Sequence, residues 1–466
     1  MAESQHRSQH RSNSGSHRGR RPKRTIDKVR LAAFEAMSEI TGQGAYANLV
    51  GPAVINHHQL SGRDAALATE LINGTCRALG TYEMIIEEAS GRDTRDLDPD
   101  VVDVLCLGTH QLLGMRTPPH AAIDTTVNLA GAVVGERVVG LVNAILRKIT
   151  RHDLDGWTSI LAEGLTGADE LAVRHLHPRW IGHAYADLLP AEEVGPALAA
   201  NNVAAVPTLV ARPGLSTVEE LVTAGATATG PSPYAASYKG NPADLLAVRE
   251  GRAAVQDAGS QLVATALARA EAPDGWWLDL CAGPGGKAGL LTGLAAERDE
   301  RLLAVEVAPH RADLVARTLR AHVTARPVTI CADGTRPAWP QGRFARVMAD
   351  VPCSGLGALR RRPESRWRRT PDDVTDLIRL QQDLLHSAVE AAQPGGVIAY
   401  VTCSPHADET AGVVEAVLAE RSDLELIDAP SLLPEVTDAA LGWYVQLWPH
   451  RHGTDAMFLA LLRRRS

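Results

Sequence analysis

The 466-residue sequence lacks any long apolar run. No stretch reaches the roughly 18 consecutive apolar residues needed to cross a bilayer. Its first 24 residues contain no apolar segment of the kind found in signal peptides, so we expect a cytoplasmic protein with no membrane partner. The six cysteines include no CxxC pair, which argues against a disulfide scaffold and against a zinc site. We therefore expect a reducing compartment and no bound metal.

An excess of basic residues is also missing, because the formal net charge is −8. This charge argues against a uniformly basic nucleic-acid-binding protein, but a phosphate-binding surface can be local, since salt screens charges over about 10 Å. Residues 1–24 contain seven Arg or Lys against one Glu, and we expect them to form a disordered basic tail. Residues 360–369 contain six Arg and Trp367. We expect phosphate contacts and base stacking there, with a solvated surface as the alternative.

Residues 25–254 divide into two parts. Residues 25–152 are predicted to form an all-helical bundle, in which Asp98 caps a helix that begins at Pro99. Apolar residues then recur with helical spacing, as do those of a second stripe over residues 138–149. Residues 153–254 mix short β-like and helical runs, and we expect a small α/β connecting subdomain.

Residues 255–466 alternate between short apolar strands and helical stretches. The predicted strands are 276–280, 302–306, 327–331, 345–349, 397–402 and 456–462. The predicted helices are 286–296, 309–323, 373–393 and 408–420. This alternation predicts a doubly wound, Rossmann-like α/β sheet, which binds ligands at the carboxyl ends of its strands. The candidate residues at those ends are Asp279, Glu306, Asp333, Asp350 and Cys403.

A glycine-rich segment, residues 279–288, follows the first of these strands and opens a helix. A Walker A loop is excluded, because Cys281 and Ala288 occupy positions that require Gly and Ser or Thr. The GxGxxA pattern of Gly283, Gly285 and Ala288 fits a dinucleotide, with Glu306 available for a ribose. It equally fits S-adenosylmethionine, a nucleoside without a pyrophosphate. A plain strand-to-helix turn is the third possibility.

Two cysteines follow strands of the same predicted sheet, Cys353 in DVPCSG and Cys403 in YVTCSP. An isolated cysteine is usually a small buried hydrophobic residue, and we expect this for Cys76, Cys106 and Cys331. Cys353 and Cys403 could instead face one cleft. A thiolate that adds to carbon 6 of cytosine makes carbon 5 nucleophilic toward a methyl sulfonium, and an acid such as Asp350 assists at N3. The thiol then needs a lowered pKa.

These segments resemble known families. Residues 255–466 resemble the Sun/Nop family of RNA cytosine-5 methyltransferases, and residues 25–150 resemble the antitermination factor NusB. The segments similar to Sun/Nop proteins are VQDAGSQL (255–262), DLCAGPGGK (279–287), AVEV (304–307), ADG (332–334), DVPCSGLGALRRRPESRW (350–367), YVTCS (400–404) and HGTDAMF (452–458). The segments similar to NusB are RDAALATELINGTCR (63–77), LCLGTHQLLGM (105–115), PPHAAIDTTVNLA (118–130) and GLVNAILRKI (140–149).

The resemblance implies a methyltransferase domain that uses S-adenosylmethionine, an RNA-binding NusB-like domain, and 16S ribosomal RNA as the substrate. It makes Cys403 the nucleophile and Cys353 the residue that assists product release, with Asp350 near the target base. The implied cofactor site consists of Cys281, Ala282, Gly283, Pro284, Gly285, Gly286, Lys287, Glu306, Asp333 and Asp350.

Two positions depart from the family pattern, since Gly283 replaces a commoner Ala and Glu306 replaces the usual Asp. The longer Glu side chain should keep the ribose contact with a shifted geometry. A different class of function is an RNA-binding or antitermination module with a non-catalytic methyltransferase domain. The intact Cys353, Cys403 and Asp350 and the glycine loop argue against it.

Overall fold

The computed structural model describes residues 26–465, so the basic tail predicted for residues 1–24 lies outside the described residues. The chain begins with a bundle of six α-helices. These are α1 (Lys28–Gln43), α2 (Ala47–His57), α3 (Gly62–Ser90), α4 (Pro99–Leu113), α5 (Pro119–Val133) and α6 (Val139–Ile149). The Asp98 side chain accepts a hydrogen bond from the Asp100 amide and caps α4, as predicted.

One apolar core holds this bundle together. Val101, Val104 and Leu105 on α4 are almost fully buried, and so are Val142 and Ile145 on α6. These residues recur every three or four positions, so each helix turns one apolar face inward. The all-helical prediction for this part of the chain is confirmed.

The connecting part contains four further helices and then a small antiparallel sheet. The helices are α7 (Leu154–Leu161), α8 (Gly167–Arg174), α9 (Arg179–Ala186) and α10 (Ala191–Ala200). The elements that follow are β1 (Thr208–Ala211), α11 (Val218–Thr223), β2 (Thr227–Ala228), β3 (Ala235–Ser237), α12 (Leu246–Arg249) and β4 (Ala253–Val255). The strand order is β2-β3-β1-β4. A mixed α/β connection is thus confirmed.

The remainder of the chain forms a larger mixed sheet flanked by helices. Its elements are α13 (Ala258–Arg269), β5 (Trp276–Asp279), α14 (Gly286–Ala296), β6 (Leu302–Glu306), α15 (Pro309–Leu319), β7 (Val328–Cys331), β8 (Phe344–Asp350), α16 (Ser365–Arg368), α17 (Pro371–Ala391), β9 (Ala392–Thr402), α18 (Ala411–Glu420), β10 (Leu424–Ile427), β11 (Ala440–Leu441), β12 (Tyr444–Gln446), α19 (Pro449–His452) and β13 (Phe458–Arg464). Every strand predicted from residue 276 onward is present within a few residues of its expected bounds, apart from β9, which begins five residues earlier.

The sheet has the order β11-β12-β13-β9-β8-β5-β6-β7, with β10 paired to β13. Strands β5 to β9 are parallel, and β13 joins β9 antiparallel. Helices α13 to α15 pack on one face and α17 and α18 on the other, which gives two apolar layers. The sheet is therefore doubly wound. The strand order reverses between β5 and β8, and a ligand crevice is expected at the carboxyl ends of these strands.

Cys331 departs from prediction. Cys76 and Cys106 are buried as expected, whereas Cys331 is exposed. It is the last residue of β7, and β7 forms one edge of the sheet, so no neighbouring strand covers it. The expectation that Cys331 is a buried hydrophobic residue is wrong.

The arginine-rich segment 360–369 also departs from prediction at its centre. Arg366 is fully buried and donates hydrogen bonds to the carbonyl groups of Leu176 at 3.0 Å and Asn201 at 3.2 Å. Asn201 caps the C-terminus of α10, where carbonyl groups lack partners within the helix. The guanidinium supplies these partners, so Arg366 is available neither to RNA phosphates nor to solvent.

Trp367 joins the part that contains the larger sheet to the helical bundle. Its ring covers Gly80 of α3 so closely that an added Cβ would lie 2.3 Å from it. Its indole nitrogen donates to the Arg77 carbonyl at 3.2 Å. The half-buried Trp367 ring is therefore partly covered by α3, and its stacking on RNA stays a prediction, while Arg361 and Arg362 in the same segment are exposed.

Candidate active site

The carboxyl ends of β5, β6, β8 and β9 bring together most of the predicted site residues. Asp279 ends β5, Glu306 ends β6 and Asp350 ends β8, while Cys403 follows β9 directly. Because these four strands are parallel, their carboxyl ends lie at one edge of the sheet. The site therefore lies at the crevice that the strand order predicts.

The two cysteines from separate strands meet at this edge. Their Sγ atoms are 3.4 Å apart, which is a hydrogen-bonding contact and far longer than a disulfide bond of about 2 Å. The hydrogen bond from Cys353 lowers the pKa of Cys403, and the Lys287 charge acts in the same direction. The pKa of Cys353 is raised well above its usual range by that hydrogen bond and by burial. Of the two thiols, Cys403 is therefore the one that loses its proton more readily, and Cys353 is the one placed to donate a hydrogen bond.

Lys287 and Asp350 form an ion pair beside the thiols. The Lys287 Nζ atom donates to an Asp350 oxygen at 2.9 Å, and the lysine side chain is only 12% exposed. Burial acts to lower the pKa of Lys287, but the charge and hydrogen bond of Asp350 outweigh it, so the pKa is raised. The ion pair lies near Cys403, where the Asp350 charge acts to raise the pKa of Cys403 and the Lys287 charge acts to lower it.

The glycine loop packs tightly against Glu306. The Gly283 amide donates to Glu306 at 3.1 Å, and the Ala308 amide donates to the other carboxylate oxygen at 3.0 Å. A Cβ on Gly283 would lie 2.0 Å from a carboxylate oxygen of Glu306, so the glycine leaves room for the longer Glu side chain, which would otherwise have to move. Gly285 has a φ of +110°, which also favours glycine, and α14 begins at the next residue. The carboxylate of Glu306 and the N-terminus of α14 thus flank one concave loop.

Asp279 was placed at the strand ends by the sequence but not included in the predicted site. Its side chain is buried, and neither carboxylate oxygen has a hydrogen-bond partner of good geometry in residues 26–465, although the Cys281 amide is close enough to act to lower its pKa. Burial raises its pKa to about 7, and the charge of Asp350 adds to this effect. A buried carboxyl without a partner is costly and is typical of a binding site. Its position directly before the glycine loop is the signal that could have identified it.

The remaining predicted residues differ in exposure. Cys281, Ala282 and Pro284 belong to the same loop, and burial raises the pKa of the Cys281 thiol well above its usual range. Asp333 follows β7, where its side chain is 46% exposed and accepts hydrogen bonds from the backbone and side chain of Thr335. These hydrogen bonds lower the pKa of Asp333. Asp333 thus lies at the open rim of the crevice, apart from the thiols.

Residues 26–465 contain neither a cluster of metal-ligating side chains nor a membrane-spanning helix. No group of three or more His, Cys, Asp or Glu side chains in this range could hold a metal ion. Within the same range, no helix has the length and apolar character required to span a bilayer.

Comparison with known proteins identifies two families. A family model for the 16S rRNA methyltransferase RsmB/F matches residues 264–463, and a NusB family model matches residues 27–151. A methyltransferase candidate from Mycobacterium tuberculosis is 46% identical over 457 residues, which cover 96% of this chain and 99% of the relative. The ribosomal RNA small subunit methyltransferase B of Vibrio cholerae is 31% identical over 453 residues, covering 94% and 98%.

Solved structures share the fold. The crystal structure of PH0851 has a TM-score of 0.79 at 20% identity and covers 95% of this chain and 100% of that one. The structure of NSun6 from Pyrococcus horikoshii with SFG has a TM-score of 0.52 at 16% identity and covers 62% and 98%. At these identities the likeness establishes the fold alone. The prediction of a Rossmann-like methyltransferase domain after a helical NusB-like bundle is confirmed.

Proposed function

The chain belongs to the RsmB/F family of 16S rRNA methyltransferases and has a NusB-family domain, and from this premise we propose its reaction. The protein transfers a methyl group from S-adenosylmethionine to carbon 5 of a cytosine in 16S rRNA. The transfer passes through a covalent bond between Cys403 and carbon 6 of that cytosine. Methylation of ribosomal RNA is the family's activity; the position on the base and the covalent route are the proposal.

The contact between the two thiols is the observation that supports this reaction best. Two Sγ atoms from different strands lie 3.4 Å apart, and their pKa values are displaced in opposite directions. A reaction in which one sulfur attacks and a neighbouring group handles a proton uses such a pair.

The residues then have separate roles. The Cys403 thiolate adds to carbon 6, and the electron pair displaced from the 5,6 double bond makes carbon 5 nucleophilic. Asp350, held by Lys287, lies at the N3 and N4 edge of the ring, where its carboxylate accepts a hydrogen bond from the N4 amino group. Transfer of the methyl group leaves the demethylated thioether of the cofactor. Solvent water then takes the proton from carbon 5, the C–H electron pair re-forms the 5,6 double bond, and the C6–S bond breaks to return the Cys403 thiolate. Cys353 lies next to the leaving sulfur, and we assign to it the assistance of that release.

The same edge of the sheet fits S-adenosylmethionine. When bound, this compound supplies a methyl group on a positively charged sulfonium. The buried Asp279 carboxyl group has no partner within residues 26–465 and can accept a hydrogen bond from the ligand. Glu306 can accept hydrogen bonds from ribose hydroxyls, and residues 283–287 form the concave loop between the two carboxyl groups. Asp333 lies at the rim, where an adenine would lie. The solved NSun6 structure contains SFG, an analogue of this compound, which supports the assignment.

Adduct trapping tests the proposal. A Cys353→Ala variant incubated with S-adenosylmethionine and 16S rRNA should accumulate a protein–RNA species that survives denaturing electrophoresis, because release is impaired. Cys403→Ala should form no such species and no methylated product. Cys331→Ala removes an exposed thiol outside the pair, so it should behave as wild type. An adduct that forms with Cys403→Ala and not with Cys353→Ala would reverse the two roles and refute the proposal.

A further inference from the structure

A buried glutamate connects the two loops that bear the thiols. Glu409 lies between β9 and α18 and is fully buried. Its carboxyl group accepts hydrogen bonds from four donors. These donors are the Ser354 amide at 2.7 Å, the Ser354 hydroxyl, the Ser404 hydroxyl at 2.8 Å and the Gln381 side-chain amide at 3.0 Å.

The donors belong to the residues that follow the two cysteines. Ser354 is the neighbour of Cys353 and Ser404 is the neighbour of Cys403, and the two serine hydroxyls are 3.1 Å apart. Gln381 of α17 also donates to the Pro352 carbonyl at 2.9 Å, on the other side of Cys353. One carboxyl group therefore holds both loops, and one helix supports it from behind.

Burial of the Glu409 carboxyl group costs free energy, and its place between the two cysteine loops explains why it is buried. Burying a carboxyl group is unfavourable unless its oxygens are fully hydrogen-bonded, and here both are. Both serine hydroxyls and the Glu409 carboxyl group are buried, and they bond to one another. Loops that follow neighbouring strands would otherwise be free to separate their thiols by an ångström or more. The network fixes the loops to each other instead of to the sheet alone.

We propose that Glu409 is a positioning residue that holds the Cys353 and Cys403 loops at the distance where one thiol donates to the other. It acts through Ser354 and Ser404 and does not contact the substrate. Only the consequence for methylation rests on the proposed function, because the thiol contact exists without RNA.

The pH dependence of thiol alkylation tests this proposal on the full-length protein without RNA. Iodoacetamide labels Cys403 through its thiolate, and mass spectrometry of the Cys403 peptide separates this label from those on the other thiols. Cys353→Ala should move the labelling midpoint upward by about one pH unit, since a hydrogen bond to a charged group is lost. Glu409→Gln should move it in the same direction, toward the Cys353→Ala value. A Ser354→Ala and Ser404→Ala double variant, which keeps the carboxyl group, should do the same.

Glu300→Gln is the matched control. Glu300 is a buried carboxyl that accepts from the Gly275 amide and the Trp277 indole at the opposite edge of the same sheet. Its substitution should lower thermal stability without moving the Cys403 midpoint. An unchanged midpoint in both Glu409→Gln and the serine variant, or an equal change in Glu300→Gln, would overturn the proposal.

Methylation kinetics provide the second readout. For Glu409→Gln we expect kcat to fall by about tenfold while the KM for S-adenosylmethionine stays within about twofold, because the lost interaction affects the reacting thiol and not cofactor binding. If the midpoints change as expected and Cys353→Ala forms no RNA adduct, the reaction assigned above fails and the positioning role stands. If wild-type protein methylates and Glu409→Gln matches it in kcat and midpoint, the positioning role fails alone.

Discussion

Replacing Asp279 by asparagine should stabilise the folded protein at neutral pH and weaken its binding of S-adenosylmethionine. Asp279 is buried without hydrogen-bond partners for its carboxylate oxygens. Burial, helped by Asp350, raises its pKa from 3.8 to about 7. The folded state therefore binds the Asp279 proton more tightly than the unfolded state does. Its unfavourable contribution grows as the pH rises from about 4 to 7 and is constant above that range.

The size of this destabilisation follows from the same pKa. A pKa of about 7 in the folded state in place of 3.8 in the unfolded state corresponds to a loss of about 4 kcal/mol in the free energy of unfolding at pH 8. This is an upper value, which relaxation of the site reduces. Asparagine keeps the shape without the charge. Since 1 kcal/mol moves the midpoint of a domain of this size by about 2–4 °C, a gain of several degrees is expected at pH 8 and a much smaller one at pH 5.

Thermal unfolding at pH 5 and pH 8 measures the gain, and calorimetric titration measures the affinity for S-adenosylmethionine. The affinity should fall by about tenfold or more, because the ligand loses a charged hydrogen-bond acceptor. Asp313→Asn, on the exposed side of α15, removes the same charge and should change neither quantity. Equal stability of Asp279→Asn and wild type at both pH values would refute the reasoning, and so would an unchanged affinity.

Two further substitutions have matched controls. Gly283→Ala should weaken binding of S-adenosylmethionine in calorimetry because its Cβ would displace the Glu306 carboxylate, whereas Gly140→Ala, whose Cβ would meet nothing within 4 Å, should bind normally. Trp367→Ala should weaken the attachment of the helical bundle by about 2–3 kcal/mol and accelerate limited proteolysis between the two parts, while Trp443→Ala, at a side chain that is 55% exposed, should not. An unchanged affinity of Gly283→Ala, or equal proteolysis of the two tryptophan variants, would contradict the respective argument.

The alternating pattern of the catalytic part was sufficient to predict its fold. Strands such as Leu302–Glu306 are short apolar runs, and their spacing by helical stretches implies parallel pairing with helices on both faces. The same pattern places Cys403, Asp350 and Glu306 at one edge of the sheet. These predictions depend on local periodicity, which a single sequence displays directly.

Contacts between residues far apart in the sequence cannot be predicted from local periodicity. The arginine run 360–369 has the composition of a phosphate-binding surface, yet Arg366 satisfies carbonyl groups 190 and 165 residues away. Trp367 packs on Gly80 of the helical bundle, which is also far away in the sequence. Composition cannot distinguish an arginine that binds a phosphate from one that caps a helix end, since both need the same donors. Asp279 was missed because its lack of partners appears only when its surroundings are known.

Bisulfite sequencing of 16S rRNA from a strain without this gene tests the central claim most directly. At least one cytosine that resists conversion in the parent strain should become convertible in the deletion strain. A copy of the wild-type gene should restore resistance, and a copy encoding Cys403→Ala should not. Restoration by the Cys403→Ala copy, or an unchanged pattern of resistant cytosines in the deletion strain, would contradict the account.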